Sequence, residues 1–175
     1  MLADTIRCDF DAVAPEPADR IEPVARRLVA EVAMRSRVLE IGCGTGALAR
    51  VIARRGANVT AVDRSPELIA LARSRTPSHL GIEYRVAELH RLAPRGFDLV
   101  IAHALPAPEA LERLAAAVRP GGSVVVIDRY RAWWSRAPEL TPLSEVRSLV
   151  RTLLPGCVVR RHLGGRCSLR WSKPR

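Results

Sequence analysis

An acid followed by three alternating glycines is the first feature of the sequence that could do chemistry, in the stretch VLEIGCGTG at residues 38–46. Apolar residues precede Glu40, and Gly42, Gly44 and Gly46 come after it. Glycine adopts backbone angles that other residues avoid, and its missing Cβ lets a ligand touch the main chain. An acid beside such a turn repels a pyrophosphate and attracts an ammonium group. The pattern predicts a ligand with an amino-acid end.

A second acid, Asp63, ends the apolar run NVTAVD at residues 58–63. In nucleotide sites of α/β proteins, an acid at the tip of the second strand accepts hydrogen bonds from ribose hydroxyls. Asp63 is therefore the candidate ribose-binding residue.

The elements that must position these residues alternate between strand and helix patterns. Strands are predicted at residues 37–41, 58–62, 82–86, 97–102 and 123–128, and helices at residues 17–34, 46–55, 65–75, 108–118 and 143–154. The chain then predicts a hairpin about Gly164 and Gly165, with Cys167, Leu169 and Trp171 on one face. Alternating strands and helices indicate an α/β fold with a parallel sheet.

With these blocks in order, the sequence resembles the class I S-adenosylmethionine (SAM) methyltransferases. The resemblance rests on E-x-G-x-G-x-G from Glu40, the acid Asp63, FDLVIAHA and VRPGGSVVVID, and it covers roughly residues 36–172. It implies a three-layer, doubly wound α/β fold with seven mostly parallel strands. The last strand would lie antiparallel between the fifth and sixth, with helices on both faces. SAM would be the cofactor and S-adenosylhomocysteine its product.

The resemblance also implies a set of cofactor-binding residues: Glu40, Gly42, Cys43, Gly44, Thr45, Gly46, Asp63, Arg64, Glu88, Leu89 and His103. Cys43 and Thr45 would act mostly through their backbone. Glu88 would accept from the adenine amino group, although relatives usually carry Asp there, and the neighbouring main-chain N–H at Leu89 would meet a ring nitrogen. Arg64 either lies along the adenine or is solvated.

His103, at the carboxyl end of the fourth predicted strand, is the catalytic candidate. Ligands of open parallel sheets bind outside the carboxyl ends of the strands, so His103 is expected near the methyl donor or the acceptor. It would serve as a base if the acceptor is a hydroxyl. A hydrogen-bonded structural role for this histidine is the alternative.

Aromatic residues suggest where the acceptor would bind. Tyr130, Trp133 and Trp134 follow the fifth strand, where relatives insert acceptor-binding elements. Phe10 lies in an N-terminal segment that in relatives folds over the cofactor. These four are the predicted substrate-binding residues. The alternative for the three aromatic residues after the fifth strand is that they cover the core. The alternative for Phe10 is that it lies in a frayed terminus.

Length and composition predict a single domain over residues 1–175 with a real core, because 48% of the chain is apolar. Residues 1–35 would form a covering segment and helix, residues 36–128 the cofactor-binding core, and residues 129–175 the acceptor side. No apolar run is long enough to span a bilayer, and no signal peptide is evident. Four scattered cysteines indicate reduced thiols and no metal site. We therefore predict a cytoplasmic protein.

The net charge of +10 suggests a nucleic-acid partner, but nearly all of the positive charge is arginine dispersed along the chain. An arginine-rich composition is therefore the favoured explanation of the charge, because dispersed charge only raises non-specific affinity. A small-molecule acceptor is favoured, with transfer of the methyl group to N, O, S or C by in-line displacement. The alternatives are an RNA-modifying methyltransferase and a non-catalytic domain that binds SAM or S-adenosylhomocysteine. A nicotinamide oxidoreductase is disfavoured, although Gly42, Gly44 and Ala47 fit G-x-G-x-x-A. Because the chain is short for this family, we expect a homodimer in which the partner subunit supplies a lid.

Overall fold

A computed structural model describes residues 23–103, 108–129, 142–162 and 166–175 of the 175-residue chain. The described helices are α1 (Pro23–Glu31), α2 (Ala47–Arg54), α3 (Pro66–Ser74), α4 (Pro108–Ala117) and α5 (Leu143–Leu153). The described strands are β1 (Arg37–Ile41), β2 (Asn58–Asp63), β3 (Glu83–Val86), β4 (Phe97–His103), β5 (Val118–Arg129), β6 (Val158–His162) and β7 (Arg166–Ser172).

The seven strands form one sheet in the order β3-β2-β1-β4-β5-β7-β6. The pairs β1–β2, β2–β3, β1–β4 and β4–β5 are parallel. Strand β7 lies antiparallel between β5 and β6. The predicted fold class is therefore confirmed, including the insertion of the last strand between the fifth and the sixth.

Helices cover both faces of the sheet and bury two apolar clusters. Helices α1, α2 and α3 pack on one face, where Val29, Ile52 and Ile69 meet strand residues such as Ile101. Helices α4 and α5 pack on the other face, where Leu111 and Val150 contribute to the second cluster. This burial stabilises the sheet and fixes which strand residues face which helices.

The first helix ends earlier than its apolar periodicity predicts, at Glu31 and not at residue 34. The chain turns because Arg35 adopts a left-handed backbone conformation, with φ of 62°. The Arg35 N–H donates to the Gly56 carbonyl at 2.7 Å, which ties the turn to the end of α2. A tertiary hydrogen bond thus decides a boundary that local pattern places elsewhere.

The fifth strand begins at Val118, where the sequence predicts the end of a helix and a Pro-Gly-Gly turn before residue 123. Val118 pairs with Phe97, and the register then shifts across the glycines. Lys173 of the C-terminal segment holds this region in place. Its Nζ donates to the Ala115 and Val118 carbonyls at 3.1 and 2.9 Å, and its backbone pairs with both glycines.

Candidate functional site

The glycine turn connects β1 to α2 at the carboxyl edge of the sheet, with φ values of 74°, 52° and 75° at Gly42, Gly44 and Gly46. A Cβ on Gly46 would lie 2.3 Å from the Tyr84 hydroxyl, so packing requires glycine there. A Cβ on Gly44 would meet no atom within 4 Å. Gly44 therefore exposes backbone toward open space, as a ligand cradle requires.

Glu40 is the buried carboxylate beneath this turn, with 1% of its surface exposed. Its Oε1 lies 2.9 Å from His103 Nε2, and its Oε2 has no hydrogen-bond partner among the described residues. A buried oxygen without a donor costs about 1–3 kcal/mol. The site therefore has an unused acceptor that a ligand ammonium or amide donor would satisfy.

Asp63 ends β2 and clamps the turn from the neighbouring strand. Its Oδ2 accepts from the Gly44 N–H at 2.8 Å, and its Oδ1 accepts from the Ser65 N–H at 3.0 Å. The side chain is 9% exposed. Each carboxylate oxygen has a second lone pair, so Asp63 can hold the turn and still accept from a ligand hydroxyl.

The predicted adenine side lies after β3. The Ala87 N–H donates to the Asp63 carbonyl at 3.0 Å, which places the following residues beside β2. Glu88 is about half exposed, and its Oε2 lies 3.0 Å from His90 Nδ1. Leu89 begins a single 3-10 turn and is half-buried, whereas Arg64 is exposed. Glu88 and Leu89 therefore come directly after β3, whose last residue is paired with Asp63 of β2. The Glu88 carboxylate faces the imidazole of His90.

Nothing in the sequence pattern distinguishes two buried polar residues that support the glycine turn. Arg50 is 2% exposed within α2, and its Nη1 donates to the Thr45 carbonyl at 2.8 Å. The Tyr84 hydroxyl lies against Gly46 and 2.9 Å from Thr76 Oγ1. Arg54 in the same helix and Arg55 directly after it are exposed, so only tertiary structure distinguishes Arg50 from these arginines.

Cys43, inside the turn, is 7% exposed. Its burial, with Glu40 and Asp63 nearby, raises the pKa of the thiol well above its ordinary value. A protonated, buried thiol is a poor nucleophile and a poor metal ligand. In the described part of the chain, Cys43 contributes backbone and bulk to the site, and no group of three or more His, Cys, Asp or Glu residues is arranged to hold a metal ion.

The structure brings Glu40, Gly44, Asp63 and His103 together from three strands and one turn. The predicted substrate-binding residues Phe10, Tyr130, Trp133 and Trp134 lie outside the described residues. No helix in the described ranges is long and apolar enough to cross a membrane.

Comparison with known proteins identifies this combination of fold and turn. The family model described as "Methyltransferase domain" matches residues 38–122. An uncharacterized methyltransferase of Mycobacterium tuberculosis is 32% identical over 172 residues, which covers 78% of this chain and 87% of that protein. A sheet of this strand order with an acidic glycine turn at its carboxyl edge defines the Rossmann-like methyltransferases. The chain belongs to the class I SAM-dependent methyltransferases.

Other methyltransferases match a smaller share of their own length or at lower identity. A ubiquinone biosynthesis O-methyltransferase of Bradyrhizobium diazoefficiens is 41% identical over 108 residues, covering 58% of this chain and 43% of that protein. The chain thus spans about half the length of the ubiquinone O-methyltransferases that it matches. The solved complex of the Haloferax volcanii Trm112 methyltransferase activator with a putative methyltransferase matches with a TM-score of 0.72 at 18% identity. That match covers 86% of this chain and 89% of the solved one.

Proposed function

We propose that this protein transfers a methyl group from SAM to a small-molecule acceptor. The observation that carries the proposal is the buried Oε2 of Glu40, which has no donor among the described residues, at the end of the strand that leads into the glycine turn. The amino group of the methionine part of SAM is the complementary donor. Because Gly44 has no Cβ, there is room for this part of SAM beside the glycine turn. The residues present therefore fit SAM.

The proposal assigns a role to each residue at the carboxyl edge. Glu40 would hold the amino group of the cofactor, and Asp63 would accept from its ribose hydroxyls. Glu88 and the Leu89 N–H would meet the adenine, with Arg64 beside it. Gly42, Cys43, Gly44, Thr45 and Gly46 would contact the cofactor through their backbone.

SAM supplies an activated methyl group on a sulfonium, whose departure leaves a neutral thioether. The residues of this chain therefore need mainly to align the acceptor with that methyl group, and orientation alone can account for much of the acceleration. His103, beside Glu40, would accept the proton if the acceptor is a hydroxyl. The Glu40 carboxylate would then stabilise the imidazolium, because charge-assisted hydrogen bonds are stronger than neutral ones.

A small-molecule acceptor is supported by the name of two relatives, "Ubiquinone biosynthesis O-methyltransferase". Residues 103–106, which begin with the last residue of β4, read HALP and lack the N-P-P-Y pattern of amide and adenine N-methyltransferases. Phe10, Tyr130, Trp133 and Trp134 stay the predicted acceptor-binding residues. A single domain over residues 1–175, a cytoplasmic location and a homodimer that completes the acceptor side belong to the same proposal.

Calorimetric titration with SAM, S-adenosylhomocysteine and NADH on one preparation tests the proposal. Micromolar binding of the first two, and none of NADH, is expected. Binding of NADH alone would replace the proposal with an oxidoreductase. If the protein binds SAM but gives no methylated product with any small acceptor, the non-catalytic or RNA-modifying alternative takes its place.

A further inference from the structure

Glu40 and His103 share one face of the sheet at its carboxyl edge. Glu40 pairs with Ile101 of β4, and Ile101 packs in the cluster beneath α1, α2 and α3. His103 is two residues beyond Ile101, so its side chain is on that same face. The Glu40 side chain is 1% exposed, whereas the His103 side chain is 32% exposed. The imidazole can therefore exchange a proton with solvent, while the carboxylate beside it is removed from water.

The two oxygens of the Glu40 carboxylate have different surroundings. Oε1 lies 2.9 Å from His103 Nε2, and the buried Oε2 has no hydrogen-bond partner among the described residues. A carboxylate shares its negative charge between both oxygens, so a cation bound at Oε2 opposes a second positive charge at Oε1. In the proposed function, Oε2 accepts from the amino group of SAM. That amino group and the proton on His103 therefore depend on one buried negative charge.

Other charged groups belong to the elements around this pair. Among the described residues on this face they are Arg27 and Glu31 of α1, Arg50 and Arg54 of α2, Asp63 of β2 and Arg129 of β5. Arginine and carboxylate side chains ordinarily keep their charge throughout the neutral range, so they form a constant background. Burial raises the pKa of the Cys43 thiol and of the Tyr84 hydroxyl, and both stay protonated there. Histidine is the residue type whose charge ordinarily changes near neutral pH, and in this cluster it is represented by His103.

We propose that Glu40 couples cofactor binding to the protonation of His103, because the amino group of the cofactor and the imidazolium proton compete for the same carboxylate. This inference rests on the proposed function, since it concerns the regulation of the same site. His103 would release its proton to solvent when the cofactor binds, and its imidazole would become a neutral base. By thermodynamic linkage, protonation of His103 weakens cofactor binding by the same factor.

The coupling would give an order to the catalytic cycle if the acceptor is a hydroxyl. In the loaded protein His103 is neutral, so it can accept the proton from the acceptor oxygen while that oxygen forms its bond to the methyl carbon. The carbon–sulfur bond breaks, and its electron pair stays on sulfur. His103 is then an imidazolium beside Glu40, which weakens the hold of Glu40 on the amino group of S-adenosylhomocysteine. Proton uptake by His103 would therefore favour product release.

NMR of the His103 imidazole tests the coupling. Its resonances, assigned with a His103→Gln variant, are followed from about pH 5 to about pH 8 with and without saturating S-adenosylhomocysteine. The titration of His103 should move to lower pH by about one unit or more in the complex. The matched ligand is 5′-methylthioadenosine, which carries the adenosine and the thioether but no amino-acid end. Saturation with this ligand should leave the titration of His103 as it is in the free protein.

Calorimetry measures the released proton independently. Titrations with S-adenosylhomocysteine in buffers of different ionisation enthalpy should show proton release at a pH between the two titration midpoints of His103. Affinity should rise with pH by up to about tenfold per unit in that interval, because the complex holds fewer protons than the free protein. Glu40→Gln and His103→Gln should each abolish this release. Asp63→Asn weakens binding at the ribose but keeps Glu40, so proton release should persist.

Several outcomes overturn the inference. An unchanged titration of His103 in the complex, or a shift to higher pH, would show that the amino group and the proton do not compete. An equal shift with 5′-methylthioadenosine, or a shift that persists in Glu40→Gln, would assign the effect to desolvation of the imidazole and not to the shared carboxylate. Failure of S-adenosylhomocysteine to bind to the wild type would refute the proposed function, which is a separate result.

Discussion

The carboxylate of Glu40 and the imidazole of His103 lie 2.9 Å apart, from Oε1 to Nε2, although 63 residues separate them in the chain. They come from adjacent parallel strands, β1 and β4, at the edge where ligands of such sheets bind. One oxygen of Glu40 thus contacts a histidine, and the other has no hydrogen-bond partner among the described residues. This contact connects the candidate cofactor site to the candidate base.

Replacement of His103 tests that connection. His103→Ala should lower kcat while SAM affinity stays near that of the wild type, because Oε2 of Glu40 remains available. It should also lower the free energy of unfolding by about 1–3 kcal/mol, since the buried Oε1 loses its partner. Urea titration and steady-state kinetics measure the two effects. Unchanged stability together with unchanged turnover would mean that the contact is incidental.

A double-mutant cycle with Glu40→Gln measures the coupling between the two residues. The two substitutions should be non-additive in stability by about 0.5–3 kcal/mol, as residues in direct contact usually are. Glu40→Gln alone should weaken SAM binding, because a charged hydrogen bond to the amino group is lost. Strict additivity would argue that Glu40 and His103 act independently.

Asp63→Ala should reduce SAM affinity by about 1–3 kcal/mol, through lost charged hydrogen bonds to the ribose and a loosened Gly44. Asp63→Asn is the matched control, because its amide oxygen can still accept one of the two backbone N–H groups. Calorimetry should show a smaller loss for Asn than for Ala. SAM affinity unchanged in Asp63→Ala would remove this residue from the site.

Gly44→Ala and Gly81→Ala form a matched pair. Both glycines have positive φ, 52° and 58°, and neither has an atom within 4 Å of a Cβ. Both substitutions should cost similar stability, about 1–2 kcal/mol from the left-handed backbone. Only Gly44→Ala should also weaken SAM binding, because its methyl group would fill the cradle. Equal SAM affinities in the two variants would mean that the turn is not the ligand site.

The alkaline stability of the protein should depend on Cys167. Burial, with Asp128 nearby, raises the pKa of this thiol to about 12 from 9.0. Below pH 9 the thiol is protonated in both states. Above pH 9 the unfolded chain releases a proton that the folded protein retains, so stability falls by about 1.4 kcal/mol per pH unit until pH 12. Unfolding in urea from pH 8 to pH 10.5 should show a shallower decline for Cys167→Ala, whereas parallel profiles would contradict this expectation.

The sequence by itself determined the elements and the chemistry at their ends. Hydrophobic runs and glycine positions predict β1, the turn and α2 because they are local properties of the backbone. They also place Glu40 and Asp63 near the carboxyl ends of strands, where ligands of parallel sheets bind. The N-cap at Ser65, which accepts from the Leu68 N–H, follows from the same local rules.

Only the tertiary structure decided which of these residues touch one another. The Glu40–His103 contact depends on the register of β1 and β4. Arg50 looks like its solvated neighbours in sequence, yet it is buried against the glycine turn. Strand register and side-chain packing arise from contacts between segments that are distant in the sequence. Hydrophobic periodicity, in contrast, reports only the local secondary-structure preference of each segment.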